Sequence, residues 1–127
     1  MLTIHDNEII SYVVNLKKHK IVLHTVQYPS QTLIDIVFDD VLAHLFETQL
    51  EDSIILDITK YELHHFSREN RELLEKQKNY CWPMDYHTIE ELIDKLVKEQ
   101  YGFYVLSSSY GLNGWVLAKE YKVVSCK

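Results

Sequence analysis

Seven histidines, two cysteines and nineteen carboxylates are the side chains in this sequence best equipped for chemistry. His64 and His65, with His44 and His87 elsewhere, invite a metal or acid–base reading. Their spacing argues against it. Adjacent residues point to opposite faces of a strand or diverge by about 100° on a helix, so a bare His-His pair offers one ion poor geometry. Neither His-x3-His nor His-Glu-x2-His occurs, and those spacings are the specific mark of a metal site. The expectation is surface or hydrogen-bonded histidines, with no metal and no cofactor. Ser107-Ser108-Ser109 stands near a glycine but in neither a Gly-x-Ser-x-Gly nor a Gly-x4-Gly-Lys frame, so the three read as polar strand-end residues. Cys81, beside Trp82, reads as a buried or bystander thiol, not a nucleophile. No catalytic residue is assigned.

The carboxylates are the more informative group. From residue 29 to residue 62 there are eight acids against one base, Lys60, so this segment carries −7 of a chain whose net charge is −6. A field of that sign repels phosphate, which excludes nucleic acid as an expected partner. Asp35, Asp39, Asp40 and Asp57 are the candidate contacts of the segment, provided that they face outward. Such carboxylates are by default the solvated side of a sheet. Gathered into one patch, they would instead meet a cationic protein.

The rest of the composition is that of an ordinary globular chain, 46% hydrophobic and 25% charged, and 127 residues fit a single domain, 1–127, able to bury its own core. No apolar run approaches the ~20 residues that span a bilayer, so no membrane partner is expected. The first residues lack the basic and apolar regions of a secretory signal. Cys81 and Cys126 are too few and too far apart for a disulfide framework. Reduced thiols in a cytoplasmic protein are the expectation.

Hydrophobic periodicity supplies the elements. Residues 8–28 predict a β-hairpin about the polar turn 17–20, with Ile10, Tyr12, Val14 and Leu16 on its more apolar face. Residues 32–38 and 53–59 alternate as strands, Asp39-Asp40 marks a turn or bulge, and residues 41–47 fit either period, with strand preferred. Ser67 is placed to cap a helix over 68–79. Thr88 with Glu91 forms a capping box before Ile89, Leu92, Ile93, Leu96 and Val97, which share one helical face. Residues 103–110 and 115–124, about Gly111-Leu-Asn-Gly114, predict a closing hairpin. Strands, then helices, then strands make an α+β fold: an antiparallel sheet with two middle helices packed on one face.

The segments Ile36-Val-Phe-Asp-Asp-Val-Leu-Ala-His-Leu-Phe-Glu47, Ile54-Ile-Leu-Asp-Ile58 and Ser108-Ser-Tyr-Gly-Leu-Asn-Gly-Trp-Val-Leu-Ala118 resemble small, poorly characterised bacterial proteins, among them immunity proteins of toxin systems. The resemblance implies a non-enzymatic inhibitor, and the acidic segment supplies the means to hold a basic toxin. Two alternatives stay open. One is a small metal-dependent hydrolase built from histidines and aspartates. The other is a structural homo-oligomer that buries the aromatic face of the last hairpin against a copy of itself, while most of the rings Tyr101, Phe103, Tyr104, Tyr110, Trp115 and Tyr121 are expected as core and cross-strand pairs and one or two exposed ones could anchor a partner.

Overall fold

The computed structural model describes residues 3–126. Its strands are β1 (Glu8–Asn15), β2 (Lys20–Gln27), β3 (Thr32–Asp39), β4 (Ala43–Glu47), β5 (Ser53–Tyr61), β6 (Gly102–Tyr110), β7 (Asn113–Ala118) and β8 (Glu120–Cys126). Between β5 and β6 lie α1 (Leu63–Glu69), α2 (Arg71–Gln77), a 3-10 turn (Lys78–Tyr80) and α3 (Ile89–Lys98). All strand pairs are antiparallel, and the order is β4-β7-β6-β5-β1-β2-β3-β8. The fold is α+β, as the order of periodicities implies.

The two ends of that order are tied together by the chain itself. β3 pairs with β8 from Leu33↔Cys126 to Asp39↔Glu120, and β4 pairs with β7 from Ala43↔Leu117 to Glu47↔Asn113. These are two halves of one long ladder, offset by one residue where it bends at residues 40–42 and 119. Asp40, at φ 53, turns the corner, while the Lys119 N–H donates to Asp39 O and the Leu42 N–H to Leu117 O. The sheet therefore curls round on itself. Its inner face collects Ile9, Ile21, Leu23, Ile36, Phe38, Phe46, Ile55, Tyr104, Leu106 and Val116 as one buried core.

A second core lies on the outer face of β4, β7 and β6, where Ala43, Phe103, Trp115 and Leu117 meet Phe66, Leu74, Tyr86, Leu92 and Leu96 from the helical segment. Alternation along β6 and β7 serves both cores: Phe103 and Trp115 face the helices, Tyr104 and Val116 the interior. Fully burying one such large apolar side chain contributes roughly 1.5–3 kcal/mol. The helices hold to the sheet through that apolar layer and through Trp115 Nε1, which donates to Asn70 Oδ1 at 3.2 Å.

Three expectations change in detail. In β1 a bulge between Ile9 and Ser11 resets the alternation, so Ile9, Tyr12 and Val14 serve the interior while Ile10 is 56% exposed. An inserted residue shifts every side chain beyond it to the other face. The helix expected over 68–79 is two helices that start earlier and break at Asn70 (φ −114, ψ 24). Ser67 lies inside α1, its hydroxyl donating to His64 O. The second arm of the last hairpin splits at Lys119: β7 returns along β6, whereas β8 crosses to β3. Residues 43–47 form the preferred strand, and α3 begins at the expected cap, with Thr88 Oγ1 accepting from the Glu91 N–H.

Candidate functional site

The four aspartates singled out from the sequence do not assemble into one patch. Asp35 and Asp39 both point outward from β3, and each has a partner. Asp35 Oδ1 lies 2.9 Å from His24 Nδ1 on β2. Asp39 sits between two ammonium groups, Lys20 Nζ at 3.4 Å and Lys122 Nζ at 3.7 Å. Asp40 is exposed at the corner. Asp57 lies on β5, separated from β3 by β1 and β2, where its carboxylate accepts from the Thr59 hydroxyl. Two of the four thus lie where the neighbouring strands supply nitrogen partners, and the other two stand apart.

The histidines are dispersed too. His44, half-buried on β4, has its ring 5.2 Å from that of Phe46, and burial pushes its pKa below the ordinary 6.5. His65 stacks on Tyr61 at 4.9 Å, and its Nε2 lies 3.8 Å from Glu69. His87 is occupied through its backbone: its N–H donates to Glu91 Oε1 and its carbonyl accepts from Lys78 Nζ. Among the described residues no three His, Cys, Asp or Glu side chains converge as metal ligands. Ser108 Oγ donates to Leu112 O across the turn about Gly111, and Ser109 Oγ to Ile54 O on β5. Cys81 is exposed, with Sγ 4.0 Å from Asp85 Oδ1.

Carboxylates do gather at one place, the mouth of a cleft of about 460 Å³ between the β1 bulge and the loop from β4 to β5. Glu8, Glu51 and Asp52 line it together with Ile9, Ile10 and Leu50, and of the apolar three Ile10 and Leu50 are exposed. Local structure explains the arrangement. β1 and β5 pair only at Glu8↔Ile54 and Ile9↔Ser53, which brings the first residue of β1 beside the turn that carries Glu51 and Asp52. Asp52 takes a left-handed conformation at φ 67, one that aspartate tolerates better than most residues. Ser53 locks the base of the loop, donating to Leu50 O at 2.6 Å and accepting from the Leu112 N–H at 2.9 Å.

The Tyr28 hydroxyl donates to Glu8 Oε1 at 2.9 Å. That bond first, then burial, then the charges of Glu8 and Asp52, raise its pKa above the usual phenol value. Glu51 and Asp52 belong to the acidic segment read from the sequence; Glu8 does not, and its strand start gave no signal that pairing would carry it to them. The usable clue was smaller: Glu51-Asp52 forms the turn between two strands, where side chains project from the sheet rim.

The aromatic set of the closing strands is mostly committed inside the chain. Phe103 and Trp115 pack in the helix-facing core, and Tyr104 lies against Phe38 and Tyr121. Tyr110 is 54% exposed. No helix among the described residues is long and apolar enough to cross a membrane. Compared with known protein families, with curated proteins and with solved structures, the chain matches none.

Proposed function

We propose that this chain is a non-enzymatic protein-binding domain, an immunity- or antitoxin-like inhibitor that works in the cytoplasm by holding a basic partner. The observation that carries the reading is the cleft, where three carboxylates stand beside exposed hydrocarbon, in a chain of net charge −6. Lysine and arginine have that same division, an apolar stem below a cationic head. Stems laid on Ile10 and Leu50 would lose water, while the heads met Glu8, Glu51 and Asp52 in charge-assisted hydrogen bonds. The long-range field adds association rate and selects partners by sign, which suits a stoichiometric inhibitor. Asp40 and Asp57, both exposed, extend the field beyond the cleft; Asp35 and Asp39 contribute less because His24, Lys20 and Lys122 adjoin them.

A lysine-rich peptide titrated onto the protein tests this. The expected result is binding that weakens steeply with salt and falls about tenfold or more in the Glu51→Lys/Asp52→Lys double variant. The control reverses two exposed helical carboxylates, Glu72→Lys/Glu75→Lys, changing net charge by the same amount away from the cleft. Equal loss in both variants would reduce the effect to overall charge and end the cleft assignment. Binding indifferent to salt would end the electrostatic reading altogether.

A further inference from the structure

We propose that the outer face of β1, β2, β3 and β8 is a self-association surface, on which a second copy packs sheet to sheet about a two-fold axis running along the strands between β2 and β3. The helices cover the other half of the sheet, over β4, β7 and β6. The remaining outer face is mixed, with exposed apolar side chains set among Lys20, His24, Asp35, Asp39 and Lys122. An antiparallel sheet with one solvated side alternates apolar-in and polar-out. Here the outward positions include Ile10 at 56% exposure, Val13 at 53%, Leu33 at 54% and Val124 at 40%. Val22 and Val37 lie between them on one rung with Val13. A depression of about 390 Å³ lined by Ile10, Leu33 and the His24–Asp35 pair marks the middle. Exposed apolar side chains grouped on one face in this way are a usual sign of an interface.

The pattern across β2 and β3 selects a copy of the chain as the occupant. Each base on β2 sits beside an acid on β3: Lys20 beside Asp39 and His24 beside Asp35. The rungs between and beyond are apolar on both strands, Val22↔Val37 and Val26↔Leu33. A two-fold axis between β2 and β3 lays each strand over the other strand of the second copy. Lys20 then faces the other copy's Asp39, His24 faces its Asp35 and Val22 faces its Val37, the self-complementarity that an isologous contact requires, while on the flanking strands Val13 faces its Lys122 and Ser11 its Val124. The charges of Lys20, Lys122, Asp35 and Asp39 cancel, whereas most other approaches bring together two surfaces of a −6 molecule. Glu8 and Glu120 begin β1 and β8 at opposite corners of the face, so the same axis keeps each away from its own twin.

Four strands about 4.8 Å apart and six residues of about 3.4 Å rise give a face of roughly 400 Å² per copy. That is about half of a standard interface, so the dimer should be weak and concentration-dependent. Sedimentation velocity on the full chain over a hundredfold concentration range tests it. The expected result is a monomer–dimer equilibrium in the native chain, weakened about tenfold or more by Leu33→Asp/Val124→Asp, with an unchanged circular-dichroism spectrum because both positions are exposed. Lys20→Asp alone should weaken the dimer, and adding Asp39→Lys should recover it. A native chain that stays monomeric throughout would overturn the proposal. So would a dimer indifferent to Leu33→Asp/Val124→Asp, or a monomer whose face is protected from hydrogen exchange only by a basic partner. Glu51→Lys/Asp52→Lys should leave the dimer intact because both residues lie off this face, although Ile10 borders it and the cleft alike.

Discussion

His44 shows what a single position in this chain exchanges for its place. Its ring lies half-buried against Phe46, and burial disfavours the imidazolium, so the folded state resists the proton that the unfolded chain accepts near pH 6.5. The unfolded state then binds more protons below that value, and stability must fall as pH drops from about 6.5 through the lowered folded pKa. His44→Leu should remove this component. Thermal melts of both proteins at neutral pH and near pH 5 check it, with a smaller acid loss of melting temperature expected in the variant. Parallel losses would mean that the ring accepts its proton as readily as in water. Nothing in the sequence marked His44 for this role, because its burial depends on the corner at Asp40 that swings β4 against the interior.

The break between α1 and α2 is an element-scale feature with one residue at its centre. Asn70 is 9% exposed; its side-chain amide donates to Phe66 O at 3.0 Å and its oxygen accepts from Trp115 Nε1 at 3.2 Å. It ends one helix, begins the next and pins both to β7. Asn70→Ala leaves the buried indole N–H without its acceptor, at a cost of about 1–3 kcal/mol. Urea unfolding followed by tryptophan fluorescence should register the lower midpoint, and an unchanged midpoint would mean that the indole finds another acceptor. The sequence predicted one helix here because helical periodicity over 68–79 is blind to a contact made 45 residues away. It read α3 well, since Thr88, Glu91 and the apolar stripe are all local. It placed Tyr12 and Val14 on the core face of β1 correctly but chose Ile10 over Ile9, because the bulge at Ile10 is a matter of pairing, not of alternation. The candidate site followed the same rule: Glu51 and Asp52 were legible as part of an acidic run, whereas Glu8 joins them only through the pairing of β1 with β5.

For the whole molecule, the closure of the sheet is uneven. β1 and β5 share two rungs, whereas β1 and β2, β2 and β3, and β3 and β8 share seven each. Local opening follows the weakest connection. The amides of Asp6 and Ile55, which close this seam onto Ile55 O and Asn7 O, should exchange with deuterium before those of Leu23 and Ile36 at the centre of the sheet. Equal protection at all four sites would show that the sheet opens only as a unit. The bent ladder has a consequence for how the chain is made. β3 must wait for β8, and the intervening stretch of about 80 residues takes a ribosome roughly 4–16 s at about 5–20 residues per second. Throughout that interval the nascent N-terminal strands carry an unsatisfied border, a template for wrong partners.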